Sequence, residues 1–313
     1  MPDIYRYFRA DYEKHSKTNA FLMALPSFFI YPASITWRGG MWQQFEAFFN
    51  ELSDADPFSV EPFTRERKGI DIQAAVIVNS RLILVIFRGS ESKTADWLGT
   101  NANHAWRSVH PDWGSGIRVH SGFYNALREI YHDMRAFIRA RDNSRRVFLG
   151  GHSLGGALAI LCGYRLQKVG GIDVQGIYTW GAPRVGNDDW AAHFNTLMQG
   201  RCYRWVKGAD FAAGFPDVNV TPGIGQAYFH VGELNYIHQD GSVNLNIPDF
   251  DATGATMFAD HDMKKYTLKM MSELSDRERS AATNPGYLVE KDVIQLTVPL
   301  LNRPLTAVIA AGE

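Results

Sequence analysis

The chain reads as an α/β protein with a mostly parallel central sheet and helices on both of its faces. Three observations predict this. Apolar, β-branched runs at Val174–Trp180 and Cys202–Lys207 alternate with helical stretches through residues 146–207. Such strand–helix–strand alternation gives parallel strands with helices packed on the sheet. A short strand, a glycine-rich turn and a small-residue helix follow one another over 146–168. The chain also has 313 residues, 45% of them hydrophobic, and at that length about 75% of the unfolded surface can be buried.

Taken in order, residues 20–30 form an apolar stretch interrupted by Pro26 and Ser27, which reads as a buried helix and turn. Residues 74–79 (AAVIVN) and 82–88 (LILVIFR) are two β-branched runs separated by Ser80-Arg81, the pattern of neighbouring strands joined tightly. From Phe123 on, Leu127, Ile130, Met134 and Phe137 recur every three or four residues, so an amphipathic helix runs there. Residues 146–149 (RVFL) make a strand, and residues 154–168 a second helix. Residues 188–198 make a third helix, led by Asp188-Asp189, acids that favour a helix start. Pro and Gly accumulate at 208–225, the place for a long functional loop. A last strand is expected from about residue 293. No repeat or low-complexity tract divides the chain. It reads as one domain over 1–313, with an N-terminal helical segment at about 1–60 and a C-terminal extension at about 275–313.

Composition removes several function classes. With 32 Lys+Arg against 33 Asp+Glu and a net charge of −1, the chain lacks the basic surplus that phosphate backbones require, so no nucleic acid is expected as a partner. Its 19 Phe, 13 Tyr and 8 Trp exclude extensive disorder. No apolar run reaches the ~18 residues of a membrane span, and no transmembrane segment is expected. Nor does the N-terminal stretch have the basic start and small-residue cleavage site of a secretory signal. The default expectation is a cytoplasmic protein, with secretion the alternative if a leader precedes these residues or if export is leaderless. Cys162 and Cys202 allow one disulfide or none.

The chemistry concentrates at Gly151-His152-Ser153-Leu154-Gly155, a G-x-S-x-G motif between a strand and a helix. A serine on a sharp strand-to-helix turn is pushed off the carboxyl edge of the sheet, and the helix N-terminus offers backbone N–H groups to an oxyanion. The bland alternative is a glycine-rich β–α turn with an incidental serine. A serine hydroxyl needs a base and an orienting carboxylate to become a nucleophile, and in this arrangement they follow it in the order Ser, Asp, His. Among the histidines, His230, His238 and His261 come late enough. Asp210, one short turn past the strand ending at Lys207, fits the acid; Asp217 is its rival within the loop.

These residues resemble the class 3, or fungal-type, lipases of the α/β-hydrolase superfamily. Residues 151–159 (GHSLGGALA) are similar to that family's nucleophile motif. Phe87-Arg88-Gly89-Ser90 resembles its oxyanion strand, and Val119-His120-Ser121-Gly122-Phe123 the entry to its long helix. Residues 179–187 (TWGAPRVGN) and 228–233 (YFHVGE) are similar to two later segments. The match runs over roughly residues 70–270.

The resemblance implies an α/β-hydrolase fold and a serine carboxylic-ester hydrolase, a triacylglycerol lipase before a phospholipase or a feruloyl-type or short-chain esterase. It makes Ser153 the nucleophile, Asp210 the triad acid and His261 the base, with His230 a structural neighbour. Backbone N–H groups of Ser90 and Leu154 form the oxyanion hole, and the Ser90 hydroxyl is a further candidate donor. Ala212-Ala213 stands where the family has Val-Pro, so the loop after Asp210 departs from the family pattern. Residues 91–103, containing Asp96, Trp97 and Leu98, resemble the family's lid, although few of them are large and apolar and an ordinary surface helix is an equal reading. The implied partner is an ester or lipid substrate met at a lipid–water interface. No cofactor is implied, and no His/Cys/Asp cluster has metal-ligand spacing. His120 and His152 are expected as hydrogen-bonded supports, and Arg88 and Arg184 as loop anchors. Trp106 and Trp113 are candidates for an apolar rim or for burial. A catalytically silent binding module is the remote alternative.

Overall fold

The computed structural model describes residues 4–11, 14–31, 41–53, 55–67, 70–90, 106–108, 113–216, 227–248 and 260–274. Its strands are β1 (Ser59–Arg67), β2 (Ile70–Val78), β3 (Leu82–Phe87), β4 (Trp106–Ser108), β5 (Arg118–His120), β6 (Arg146–His152), β7 (Val174–Trp180), β8 (Cys202–Lys207), β9 (Glu233–Ile237) and β10 (Val243–Ile247). Its α-helices are α1 (Lys17–Phe29), α2 (Met41–Glu51), α3 (Ser121–Arg139), α4 (Leu154–Arg165), α5 (Asp188–Leu197) and α6 (Met263–Ser272). Eight strands make one sheet in the order β1-β2-β3-β6-β7-β8-β9-β10, while β4 and β5 pair as a separate ribbon. The β1–β2–β3 meander and the β9–β10 hairpin are antiparallel; from β3 to β9 the pairing is parallel.

Both faces of the sheet are covered, as parallel strands demand, and alternation along each strand divides its side chains between two cores. Ile83, Val85, Phe87, Val147 and Leu149 pack with α3, α4 and α5. Leu82, Leu84, Ile86, Phe148 and Trp205 pack with α1, α2 and α6. Side-chain caps start several helices: Asn187 Oδ1 accepts Trp190 N–H at 3.2 Å before α5, and Asp262 Oδ1 accepts Lys264 N–H at 2.9 Å before α6.

Three elements differ in detail from the sequence reading. The turn expected with the helix over residues 20–30 falls at Ile30, because α1 runs through Pro26 to Phe29. Proline cannot donate to the carbonyl four residues back, and here the buried Tyr5 hydroxyl donates to Leu22 O at 2.9 Å instead. The helix expected to reach residue 168 is α-helical only to Arg165 and closes with a π-turn at Leu166–Gly170. The strand expected to end at residue 149 carries on to His152. Cys162 and Cys202 are both free and buried, with the Cys202 thiol pushed up to about 12 by burial. Residues 91–103 with Asp96, Trp97 and Leu98, together with Asp217 and the stretch beyond 274, lie outside the described residues; so does the side chain of Trp106. Trp113 is buried. Among the described residues no helix is long and apolar enough to cross a membrane.

Candidate active site

β3, β6, β7 and β8 bring their carboxyl ends together, and the residues singled out in the sequence cluster there. Ser153 sits between β6 and α4 with φ 58° and ψ −130°, a strained conformation for a residue with a side chain. Its amide donates to Trp180 O at 2.9 Å, and the residue is 2% exposed. The tightness of the turn explains the glycine at 155. A Cβ there would collide with the Phe87 carbonyl at the end of β3, so only glycine lets α4 start against that strand. The first turn of α4, opening at Leu154, therefore lies beside the loop carrying Gly89 and Ser90. A Cβ built on Gly89 would stand 3.1 Å from Ser153 Cβ.

Asp210 follows β8, where its amide donates to Lys207 O at 3.0 Å. The residue is 3% exposed, and its carboxylate collects three donors. Ala212 N–H reaches Oδ1 at 2.9 Å, Tyr266 O–H reaches Oδ2 at 2.7 Å, and His261 Nδ1 lies 2.8 Å from Oδ1 and 3.0 Å from Oδ2. Tyr266 Oη in turn accepts Lys207 N–H at 2.8 Å. Burial, and then the Asp210 charge, hold the Tyr266 phenol well above its ordinary pKa, so it stays a donor. Gly181 makes the pairing sterically open: its φ is 53°, and a Cβ would press on Asp210 Oδ2 and stand 2.9 Å from His261 Nδ1.

His261 precedes α6. Its ring lies 4.7 Å edge-on from Phe211 and 4.4 Å from the ring of His152, the residue just before Ser153. Its Nε2 is buried without a hydrogen-bond partner among the described residues; the link to Ser153 Oγ is therefore open here, as such bonds often are before substrate binds. His152 is kept well below the ordinary imidazole pKa by burial and then by His261. It is neutral beside His261.

The remaining candidates from the sequence fall around this cluster. His230 Nε2 lies 2.7 Å from Ala213 O, away from Asp210. Burial, with Arg204 and Arg184 nearby, also keeps it well below the ordinary value. His238 bonds Asn244 on the β9–β10 hairpin. His120 Nδ1 accepts Phe123 N–H at 3.4 Å as the cap of α3. Arg184 Nη1 donates to Gly214 O at 2.6 Å and Pro216 O at 2.8 Å, an anchor for the loop after Asp210. Arg88 is buried, with its amide bonded to Gln73 O. Among the described residues no three His, Cys, Asp or Glu side chains group as a metal site.

Sequence reasoning missed a carboxylate. Asp260, 3% exposed, accepts Lys207 Nζ, Gln239 Nε2 at 2.7 Å and Ala209 N–H at 3.1 Å. It thereby joins the residue before His261 to the residue before Asp210. Burial would raise its pKa, but the bonds from Lys207, Gln239 and Ala209 outweigh that and hold it below the usual carboxylate value. Only its adjacency to His261 could have marked it.

Residues 84–220 match the family described as Lipase (class 3). A secreted mono- and diacylglycerol lipase of Fusarium solani is 34% identical over 156 residues, covering 49% of this chain and 44% of that protein. A lipase of Rhizomucor miehei is 34% identical over 176 residues, covering 54% and 45%. The chain thus spans about half the length of the curated relatives it matches. The solved structure of a Rhizomucor miehei triacylglyceride lipase superposes with a TM-score of 0.59 at 22% identity, over 77% of this chain and 89% of the other. The fold is that of the α/β-hydrolases.

Proposed function

We propose that this chain, whose residues 84–220 belong to the class 3 lipases, is a serine hydrolase of carboxylic esters that acts on acylglycerols. The observation that carries the reading is the buried Asp210 carboxylate paired to His261 Nδ1, next to a serine held in a strained turn. With Nδ1–H committed to Asp210, the lone pair of Nε2 is the base.

Ser153 Oγ attacks the ester carbonyl while Nε2 takes its proton, and the carbonyl π electrons move onto oxygen. The Leu154 and Ser90 N–H groups stabilise that oxyanion; one such donor is worth about 2.7–4 kcal/mol. As the carbon–oxygen bond breaks, the imidazolium returns the proton to the leaving alcohol. Water, deprotonated by His261, then releases the fatty acid from the acyl-enzyme. Throughout, Asp210 orients His261 through Nδ1, while Tyr266 and the Ala212 amide hold its carboxyl oxygens in place.

Acylglycerols are chosen because the Fusarium and Rhizomucor relatives are named for them. Substrate is met at a lipid–water interface, and Phe229, 40% exposed, supplies apolar surface. Secretion is proposed on the same footing, from the name of the Fusarium relative. The whole chain, 1–313, is read as one catalytic domain.

Initial rates on p-nitrophenyl esters from acetate to palmitate test this, with Ser153→Ala as the blank. A maximum at medium or long acyl chains is expected. Rates confined to acetate and butyrate would replace acylglycerols by short or phenolic esters, and no hydrolysis at all would remove the proposal.

A further inference from the structure

We propose that Tyr31, from the N-terminal segment outside the matched residues 84–220, is a positioning residue that ties the oxyanion loop to the nucleophile turn. The inference rests on the serine-hydrolase reading above. Two groups from distant parts of the chain meet at this one hydroxyl. Gly89 N–H donates to Tyr31 Oη at 3.1 Å, and the same hydroxyl lies 2.9 Å from His152 Nδ1. The two rings also touch edge to face, with centroids 5.9 Å apart.

Tyr31 follows Ile30, the cap of α1, and its own amide reaches back to Phe28 O at 3.3 Å. α1 is buried against the sheet on the same side as α6, so the phenol arrives from a fixed support. The packing at its tip is close: a Cβ on Gly89 would collide with Tyr31 Oη and stand 2.6 Å from His152 O.

The hydroxyl can serve both neighbours at once. Its oxygen accepts the Gly89 N–H, and its proton is available to Nδ1 of a His152 kept neutral by burial. Each bond acts on a residue next to the chemistry. Gly89 precedes Ser90, and glycine is the residue whose backbone turns most freely. The bond holds the Arg88–Gly89 peptide plane, the one before the Gly89–Ser90 plane that carries the Ser90 N–H, and so limits how far that N–H can swing. His152 precedes Ser153, and its ring lies 4.4 Å from that of His261 at an interplanar angle of 31°. Tyr31 therefore aligns the oxyanion donor with the serine it serves and backs the ring against which the base rests.

The experiment is Tyr31→Phe in the full chain, which keeps the ring and removes only the hydroxyl. Three readouts are taken: kcat and KM on p-nitrophenyl butyrate, affinity for an alkyl boronic acid that forms a tetrahedral adduct on the serine, and the thermal midpoint. The expected result is a kcat about 10- to 100-fold lower, short of the 10²–10³ lost with an oxyanion donor itself. Boronate affinity should fall by a similar factor, KM should change less than about twofold, and the midpoint should move by less than about 3 °C.

Wild-type kcat and boronate affinity in the variant would overturn the proposal. So would a lower kcat with unchanged boronate affinity, or one accompanied by a collapse of the thermal midpoint, since those patterns mark a purely structural role. Ser153→Ala run alongside separates the two failures. If it is inactive while Tyr31→Phe behaves as wild type, only the role of Tyr31 falls. If it retains turnover, the serine-hydrolase reading falls first.

Discussion

Acid should unfold this protein through two of its histidines before its carboxylates titrate. His152 and His230 are both held neutral, far below the ordinary imidazole pKa, with burial the first cause in each case. In the unfolded chain each titrates near 6.5. Above that pH both states are neutral and neither residue affects stability. As the pH falls below it, the unfolded chain binds protons that the folded protein refuses, so unfolding becomes easier. Stability is complete above 6.5 and is lost from there down toward the depressed folded values.

One unshared proton is worth about 1.36 kcal/mol per pH unit. Between pH 7 and pH 5 each histidine therefore costs about 2 kcal/mol, and the pair about 4 kcal/mol, against the 5–15 kcal/mol total of an ordinary protein. Urea unfolding followed by tryptophan fluorescence at pH 7, 6 and 5 measures the loss. His230→Gln isolates half of it, because the amide keeps a donor for Ala213 O, which His230 Nε2 meets at 2.7 Å, but does not titrate. The variant should lose about 2 kcal/mol less than wild type over the two pH units. Equal losses in the two proteins would show that His230 protonates in the folded state and would refute the reasoning.

Two further predictions concern buried polar groups. Tyr5→Phe strips Leu22 O of the hydroxyl that stands in for the missing Pro26 amide, and leaving a buried carbonyl unpaired costs about 1–3 kcal/mol. A change under about 0.5 kcal/mol in urea would deny that role. Asp260→Asn breaks the ion pair with Lys207, whose side chain is 18% exposed against 5% for Asp260. A fully buried pair broken in this way costs about 3–5 kcal/mol; because Lys207 can partly rehydrate, about 2–3 kcal/mol is expected in the same assay. A loss below about 1 kcal/mol would mean that Lys207 is already solvated.

What could be read from the sequence was local. The Ser153 turn announces itself because glycine, serine and glycine must alternate between a strand and a helix. The parallel core from β6 to β8 shows in its apolar runs. Asp210 could be singled out by its place after β8, although Asp217 stayed open as a rival; choosing His261 over His230 and His238 needed the family resemblance. Contacts made by folding were not legible. Tyr31 and His152 are 121 positions apart, and Lys207 and Asp260 are 53 apart. No spacing rule connects such pairs. The continuation of α1 through Pro26 depends on a donor from Tyr5, outside the helix. β1 (SVEPFTRER) carries a proline and alternating charges because it is an edge strand with one neighbour, and those same features hide it from a hydrophobic pattern search.

The most direct test of the central claim is the intact mass of the protein after exposure to a fluorophosphonate. Phosphonylation needs an activated serine and no other part of the acylglycerol reading. A single adduct is predicted, mapped by peptide mass to Ser153 and absent from a folded Ser153→Ala variant. Asp210→Asn, which disturbs the tautomer of the base and by analogy costs about 10⁴ in turnover, should slow its formation. An adduct on another residue, or none on folded wild-type protein, would contradict the assignment of Ser153 as an activated nucleophile.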